Sequence, residues 1–249
     1  MNSPLRGLAA ATLGLIPVRV RGGAAKGARW TLYPWTSYWR GTHEPEVQAA
    51  VERLGNGSIR GWSCWDLGAH FGLYSVALAI RAGPGGQVAA FEPNPRSFAR
   101  LERHRRMNRL ECLRTYQAAA SDRTGVQELL TYGDLGSTST HLPYPGEARG
   151  DASAPIAIRT LRLDDLVDSG ELRPPQFAKV DVEGHGRRAV EGMRKAIAAS
   201  RPILMVGFHS GEEEEGVLGL LRPLGYRWAP IVAPSDPRSM VGGDYLFTP

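Results

Sequence analysis

Apolar and polar positions in the central part of the chain switch between strand and helix patterns. Residues 62–67 form a short, mainly apolar run with Trp62, Cys64, Trp65 and Leu67, which is typical of a buried strand. Residues 74–80 follow helical spacing, and the glycine-rich stretch 81–86 ends that helix. Residues 87–91 form a second strand, which Pro93 stops. Strands that alternate with helices predict a parallel sheet with helices on both faces.

This alternation continues to the C-terminus, so residues 41–249 are predicted to form one domain. Asn94 is placed to cap a helix with Pro95 in its first turn, and further helices are expected at 187–198 and 212–224. Further strands are expected at 113–118, 126–132, 156–161, 177–184, 202–209, 226–232 and 244–249. Strands 126–132 and 156–161 are predicted to pair as an antiparallel insert, and strands 226–232 and 244–249 to form an antiparallel edge of the sheet.

Residues 1–40 are poorly patterned and are predicted to be an N-terminal extension. Pro45 then suits the first position of a helix. An apolar stretch at 8–18 lacks the small-residue cleavage site of a signal peptide, so a packed or loosely ordered N-terminal helix is expected. The extension also holds five aromatic residues: Trp30, Tyr33, Trp35, Tyr38 and Trp39. Two interpretations are open, since these rings either pack the extension against the domain or wall a ligand pocket.

The connection from Gly133 to Pro155 is rich in Gly, Ser, Thr and Pro, and it is long for a compact domain. A connection of this kind is either functional or disordered. Long irregular loops often act as lids over a substrate. We therefore predict a mobile flap near the site that binds the second substrate.

The composition argues against a nucleic-acid partner, a disulfide or zinc framework and a membrane-spanning segment. The 249 residues are 42% hydrophobic, which is enough for a core. The net charge is +5, but nearly all the positive charge is arginine in a chain rich in Ala, Gly and Pro, so no nucleic-acid partner is predicted. Cys64 and Cys112 have neither disulfide nor zinc spacing, which indicates thiols in a reducing compartment. Because no stretch is long enough to span a membrane, we expect a cytoplasmic protein without membrane insertion.

The loop after the first strand of the domain, "WDLGAHFGLYS" from Trp65 to Ser75, is the best candidate for a ligand site. Its glycines, Gly68 and Gly72, let the backbone approach a ligand closely. Their spacing is not the G-x-G-x-x-G of a dinucleotide site, and bulky residues inside the loop argue against a bound pyrophosphate. The carboxylate of Asp66 would repel phosphate but suits a cation or an amine.

Glu92 ends the second strand of the domain, where an acid accepts hydrogen bonds from ribose hydroxyls. A ribose acid alone fits NAD and adenosyl cofactors alike. An acid before the glycine loop and a ribose acid, without a phosphate cradle, favour S-adenosylmethionine, which has no phosphate. The plain alternative is a strand–loop–helix corner without a ligand, which would leave the acids Asp66 and Glu92 unexplained.

Six stretches resemble the FkbM-type S-adenosylmethionine-dependent methyltransferases, in family order over roughly residues 40–249. They are "GTHEPEV", "WDLGAHFGLYSVALA", "GQVAAFEPNPRSFARLERHRRMN", "LDDLV", "FAKVDVEGHGRRAVEGM" and "RPILMVGFH". The resemblance implies an α/β, Rossmann-like, seven-stranded methyltransferase fold and O-methylation of a hydroxyl on a small molecule, sugar or lipid. It also implies that the helix after Glu44 lies over the cofactor. The predicted cofactor-binding residues are Glu44, Asp66, Gly68, Ala69, His70, Phe71, Gly72, Tyr74, Ser75, Glu92, Pro93, Asn94 and Asp181.

Two positions depart from the family pattern. Gly186 and Gly207 stand where the family usually has acids. A binding protein that has lost turnover is therefore one alternative function, and an NAD-dependent oxidoreductase is a second, weaker one. Neither departure affects the predicted cofactor loop.

Methyl transfer to a hydroxyl needs alignment of oxygen, carbon and sulfur, and it gains from a base that takes the hydroxyl proton. The stretch "DVEGH" brings three candidates, Asp181, Glu183 and His185, to the end of the fourth parallel strand, and His209 follows the fifth. We predict Asp181 and Glu183 as the base ahead of the two histidines. Glu183 has an alternative role as a helix cap. A divalent metal bound by this cluster is a further alternative, but we predict no metal ion.

Overall fold

The computed structural model describes residues 16–32, 36–131, 140–141 and 155–249. A sheet of seven strands runs through the protein in the order β12 (Arg227–Val232), β13 (Asp244–Thr248), β11 (Ile203–Gly207), β10 (Phe177–Val180), β3 (Ser63–Leu67), β4 (Gln87–Phe91) and β5 (Leu113–Tyr116). Strands β11, β10, β3, β4 and β5 are parallel, and β13 is antiparallel to both of its neighbours. The predicted fold class, a mostly parallel sheet with an antiparallel C-terminal edge, is therefore confirmed.

Most helices and strands lie where the sequence pattern placed them. The strands are β1 Pro17–Arg19, β2 Arg29–Thr31, β3 Ser63–Leu67, β4 Gln87–Phe91, β5 Leu113–Tyr116, β6 Ala119–Ala120, β7 Gly125–Thr131, β8 Thr140–His141, β9 Ile156–Leu161, β10 Phe177–Val180, β11 Ile203–Gly207, β12 Arg227–Val232 and β13 Asp244–Thr248. The α-helices are α1 Pro45–Arg53, α2 Leu73–Ala82, α3 Pro95–Met107, α4 Leu163–Asp168, α5 Gly186–Gly192, α6 Arg194–Ser200 and α7 Gly211–Leu221. Short 3₁₀ turns span Tyr38–Arg40 and Leu54–Gly57.

The sheet separates two hydrophobic clusters. Side chains of α1, α2 and α3 pack on one face of the sheet, and side chains of α4 to α7 pack on the other. Strand β3 is buried at every position, including Ser63 and Asp66. Helices therefore cover both faces, as predicted, and the carboxyl ends of the parallel strands open at one edge of the sheet.

The described part of the N-terminal extension is packed against this core. Strands β1 and β2 form an antiparallel pair, and Trp30 in β2 is 1% exposed. Its ring stacks on the imidazole of His104 in α3, with 3.6 Å between the ring centroids. Tyr33 and Trp35 lie outside the described residues. The predicted division at residue 40 stays a prediction, although the extension shares a hydrophobic cluster with the domain.

The predicted antiparallel insert is present as β7 and β9, which belong to a small sheet of order β6-β9-β7-β8. The predicted strand 113–118 ends at Tyr116, because the chain then leaves the large sheet and pairs Ala119 and Ala120 with β9. Within the predicted flap 133–155, only 140–141 and Pro155 are among the described residues, so the flap hypothesis lies outside them. No helix in the described part of the chain is long and apolar enough to cross a membrane.

The single helix predicted at 187–198 is wrong, because two helices, α5 and α6, meet at Met193 with φ −119°. Just before the break, the backbone of Gly192 lies so close to Ser121 that a Cβ would overlap its carbonyl oxygen. Met193 itself is fully buried. The change of direction therefore lets the chain pass Ser121 and still bury Met193.

Candidate active site

A cavity opens at the carboxyl ends of β3, β4, β10 and β11, where ligands bind in open α/β sheets. Five segments contribute to its polar wall: the start of α1, the β3–α2 loop, the end of β4, the β10–α5 loop and the β11–α7 loop. Ala119, Ala120 and Leu129 add an apolar wall from the small sheet. Of the predicted site residues, the lining includes Glu44, Gly68, Ala69, His70, Phe71, Tyr74, Glu92, Pro93, Asp181, Glu183, His185 and His209.

The glycine loop lies directly against the β10–α5 loop. Gly68 has φ +83°, and a Cβ there would overlap the carbonyl oxygen of Asp181. Both Gly68 N and Ala69 N donate to the carbonyl of Phe91 at 3.0 Å. Glycine is therefore required by conformation and by close packing, and the loop is fixed between β4 and β10.

Glu92 lies at the end of β4 with 5% of its surface exposed. Its carboxylate accepts hydrogen bonds from His70 N at 2.7 Å and from Asn94 N at 2.8 Å. Burial raises the pKa of Glu92 to about 7, although these two bonds oppose the shift. The carboxylate is thus oriented by the backbone of the glycine loop, in which His70 has φ +49°.

Four predicted cofactor-binding residues, Asp66, Gly72, Ser75 and Asn94, lie outside the cavity lining, and their part in cofactor binding stays a prediction. Asp66 is 1% exposed beneath the loop and accepts a 2.5 Å hydrogen bond from Ser75 Oγ. Gly72 packs against Leu101 in α3. Asn94 caps α3 by accepting from Arg96 N and Ser97 N, as predicted. The contacts of these four residues therefore fix the shape of the loop and the start of α3.

Glu44 approaches the cavity from the start of α1, with φ +43°. Tyr74 donates from its hydroxyl to Glu44 Oε2 at 2.6 Å, and His43 Nε2 lies 3.2 Å from Oε1. Burial would raise the pKa of Glu44, but the hydrogen bond from His43 and the charge of Lys179 outweigh it and lower the pKa to about 2. An ionised carboxylate therefore faces the cavity here.

Tyr38 and His43 line the same cavity and were not predicted as site residues. The Tyr38 hydroxyl lies 2.9 Å from His70 Nδ1, and the His70 ring stacks on Phe71 with centroids 3.8 Å apart. For Tyr38, the second interpretation of the aromatic cluster, a pocket wall, describes the structure. Trp30 instead packs the extension against α3.

Asp181 is the first residue after β10, and its Oδ2 lies 2.6 Å from Lys179 Nζ. Burial would raise the pKa of Asp181, but Lys179 and then His209 outweigh it and lower the pKa. Lys179 was also missed in the sequence. It is one of only three lysines in an arginine-rich chain and lies in a buried strand, which is a usable signal.

Glu183 and His209 lie beside Asp181. His209 Nε2 is 3.4 Å from Asp181 Oδ1 and 3.8 Å from Glu183 Oε2, and its Nδ1 is 3.5 Å from Glu213 Oε2. Burial opposes a charged His209, but the hydrogen bond to Glu213 and the charges of Asp181 and Glu183 raise its pKa to about 9. The two acids lie in the turn after β10, with φ +49° at Glu183, and not along the strand as predicted.

The alternative role of Glu183 as the cap of the following helix is wrong. Helix α5 begins at Gly186, whose N–H donates to Glu213 Oε1 at 2.7 Å. Glu213 also accepts from His209 N at 2.7 Å and is 1% exposed. This buried carboxylate, from α7, therefore anchors both loops of the site.

His185 is separated from the other three predicted catalytic residues by its hydrogen bond. Its Nε2 lies 3.0 Å from Ser121 Oγ, on the side of the small sheet. Burial and the nearby Arg188 lower the pKa of His185 to about 4, so the imidazole is neutral at pH 7. The structure thus brings Asp181, Glu183 and His209 together and leaves His185 beside Ser121.

Comparison with known proteins decides the family. The sequence model described as "Methyltransferase FkbM domain" matches residues 66–228, which is most of the chain. The chain belongs to the FkbM methyltransferase family. The resemblance, the enzyme class and the methyltransferase activity predicted from the sequence are therefore confirmed, and the two alternative functions are not supported.

Two methyltransferases have sequences similar to this chain over most of their length. The chain is 30% identical over 202 residues to the hexuronic acid methyltransferase AglP of Haloferax volcanii, covering 78% of this chain and 75% of the relative. It is 28% identical to the 31-O-demethyl-FK506 methyltransferase FkbM of Streptomyces tacrolimicus, covering 70% and 74% of the two chains. Both matches extend over most of each protein.

A solved FkbM methyltransferase from Methylobacillus flagellatus has a similar fold, with a TM-score of 0.50 and 18% sequence identity. The match covers 79% of this chain and 47% of that one. At this identity the comparison supports the fold alone.

Carboxylates of other residues face the two positions that depart from the FkbM pattern. A Cβ at Gly186 would lie 2.8 Å from Glu213 Oε1, and a Cβ at Gly207 would lie 3.1 Å from Asp244 Oδ1. Asp244 pairs with Gly207 across β11 and β13. The site therefore keeps acidic groups next to both glycines.

Proposed function

We propose that this FkbM-family enzyme transfers a methyl group from S-adenosylmethionine to a hydroxyl of a small molecule, sugar or lipid. One observation carries the proposal. A single cavity places the glycine loop, the oriented carboxylate of Glu92 and the carboxylates of Asp181 and Glu183 around the same space. These parts correspond to a cofactor site and to a place for the acceptor beside it.

The cofactor is assigned by charge and shape. The carboxylate of Glu92 accepts hydrogen bonds from the ribose hydroxyls. The backbone of the loop Gly68–Phe71 contacts the adenosyl group closely. The ionised Glu44, held by Tyr74, suits the positively charged amine of the methionine part. A dinucleotide fits poorly, because its pyrophosphate would meet carboxylates and bulky loop residues in place of a glycine-lined helix N-terminus.

The acceptor is placed on the side of Asp181 and Glu183. Methyl transfer forms an O–C bond and breaks the S–C bond, whose electron pair returns to sulfur, while the hydroxyl proton leaves. A carboxylate of this pair takes the proton late in the reaction or aligns the hydroxyl. Asp181 Oδ2 is paired with Lys179, and both Asp181 and Glu183 remain candidates for the base.

The acceptor class follows from the hydroxyl chemistry of relatives. AglP is named for hexuronic acid, and a third relative, NoeI of Sinorhizobium fredii, is named a 2-O-methyltransferase and is 28% identical over 153 residues. The apolar wall of Ala119, Ala120 and Leu129 suits the non-reacting part of such a molecule. Nucleic acid is not proposed as the acceptor, and a cytoplasmic location stays a prediction.

Calorimetry with S-adenosylmethionine tests the assignment. Glu92→Gln removes the charge that accepts the ribose hydrogen bonds and should weaken binding by about 1.5–3 kcal/mol, roughly 10- to 150-fold. Glu52→Gln, an exposed acid on α1, is the matched control and should bind as the wild type does. An unchanged affinity in the Glu92 variant would remove the ribose assignment, and absence of binding to the wild type would remove the proposed cofactor.

A further inference from the structure

Three donor groups of different elements converge at the acceptor side of the cavity. Asp181, Glu183 and His209 each present one ligand atom, and these atoms all lie within 4.8 Å of one another. The donors are two carboxylate oxygens and an imidazole nitrogen, a set that suits divalent cations such as Mn²⁺ and Mg²⁺. Within the described part of the chain, it is the one group of this kind.

The spacing within this group is that of ligands and not of hydrogen-bonded partners. His209 Nε2 lies 3.4 Å from Asp181 Oδ1 and 3.8 Å from Glu183 Oε2, both longer than an N–H···O hydrogen bond. Two atoms bound to one cation at about 2.1–2.3 Å are separated by about 3–4.5 Å. The observed distances fall in that range, so a small ion can lie between the three atoms with little rearrangement.

The imidazole of His209 has the orientation that is usual for a metal-binding histidine. A metal-bound histidine commonly gives its second ring nitrogen to a carboxylate, which fixes the ring. His209 Nδ1 faces Glu213 Oε2 at 3.5 Å, and Glu213 is fixed by the backbone N–H groups of Gly186 and His209 at 2.7 Å each. Glu213 therefore orients the His209 ring independently of Asp181 and Glu183, and Nε2 points towards these two acids.

Glycine at position 207 leaves space beside the three donors. A side chain there would begin 3.1 Å from Asp244 Oδ1, 3.4 Å from Asp181 Oδ1 and 3.5 Å from His209 Cε1. Asp244 adds a further carboxylate next to the group, opposed by Lys179, which is already paired with Asp181. The surroundings therefore have the surplus of acidic groups that a dication needs, and no side chain at position 207 competes with it for space.

We propose that Asp181, Glu183 and His209 bind one divalent cation of the Mg²⁺ or Mn²⁺ type. This replaces the expectation, from the sequence alone, of a site without metal. Its role in catalysis rests on the proposed function: a cation there would hold the acceptor oxygen and make its hydroxyl more acidic. Binding of the ion itself requires neither cofactor nor acceptor.

Calorimetry with Mn²⁺ on chelator-treated full-length enzyme, without cofactor or acceptor, tests the site. We expect one Mn²⁺ per chain, with binding weakened at least about tenfold in Glu183→Gln and in His209→Gln. Glu52→Gln should match the wild type. Circular dichroism melts confirm that each variant is folded. Absence of saturable binding to the wild type, or equal affinity in folded ligand variants, overturns the proposal.

A second set of measurements distinguishes failure of the cation site from failure of the proposed function. S-adenosylmethionine binding by metal-free enzyme, together with no Mn²⁺ binding, removes the cation and leaves the proposed function standing. Mn²⁺ binding without any cofactor binding supports the cation and removes the proposed function. Methyl transfer that continues at full rate after chelation, with the metal content shown to be zero, overturns the catalytic role of the cation.

Discussion

Lys179 Nζ lies 2.6 Å from Asp181 Oδ2, and the same lysine is paired in register with Asp66 on the neighbouring strand. The lysine side chain is only 3% exposed, and Asp181 is its ion-pair partner. Burial alone would lower the pKa of Lys179, but Asp181 and Asp66 raise it. Lys179 therefore lies between Asp66 on β3, the strand before the glycine loop, and Asp181 on the proposed acceptor side of the cavity.

Replacing this lysine should destabilise the fold strongly. Lys179→Met leaves buried acids without their counter-ion, which typically costs about 3–5 kcal/mol. Adding Asp181→Asn removes one of the unpaired charges and should recover part of the loss. Urea unfolding of the single and double variants measures both effects. A double variant no more stable than the single one would contradict the pairing.

Binding of adenosine should depend on the charge of Glu92. Burial holds the pKa of Glu92 at about 7 in the free enzyme, so its carboxylate is largely protonated at pH 6 and ionised at pH 8. Adenosine has the ribose without a titrating amine, and its affinity should rise from pH 6 to pH 8. Fluorescence or calorimetric titration measures it. Glu92→Gln should give a flat profile, and the same slope in that variant would assign the effect to another group.

The contribution of His209 to stability should disappear at high pH. The pKa of His209 is raised from 6.5 to about 9, so its stabilisation is fully present below pH 6.5 and is lost as the pH rises through 9. In buffer with chelator, the difference in Tm between the wild type and His209→Gln should be largest near pH 6 and small near pH 10. A difference that grows with pH would contradict the predicted protonation state.

Trp30 should matter for stability although it belongs to the predicted extension. It is 1% exposed and stacked on His104, so Trp30→Ala should cost about 3–5 kcal/mol. Trp228, which is 39% exposed on the edge strand β12, provides the control, and Trp228→Ala should cost much less. Chemical unfolding measures both. Equal losses would show that the extension is not part of the folded core.

The parts of the site that follow local rules could be predicted from the sequence. Glu92 was placed at a strand end and Asn94 at a helix cap, because strand period, proline and cap chemistry are written in neighbouring residues. The parallel order of β3 and β10 followed from the alternation of strands and helices. These are short-range patterns with a physical basis.

Long-range partners could not be predicted in the same way. Glu213 lies in an acidic run of α7 that looks like an exposed helix start, yet it is 1% exposed and fixes both His209 and Gly186. Tyr38 reaches the cavity from a segment without periodicity. Burial of the whole of β3 holds Asp66 beneath the loop, which its place in the sequence did not show, and its part in cofactor binding stays a prediction. Only the tertiary packing decides these positions.

Methyl transfer by this enzyme is tested most directly with S-adenosylmethionine that carries a trideuterated methyl group, incubated with enzyme and a metabolite extract of cells. Mass spectrometry should find a hydroxyl compound that gains the labelled methyl group with the wild type and with Glu52→Gln. With Asp181→Asn or Glu183→Gln, the rate should fall at least about a hundredfold while cofactor affinity stays within a few-fold. A labelled product formed equally fast by both variants would contradict the assigned acceptor site, and loss of cofactor binding in them would make these acids cofactor ligands instead.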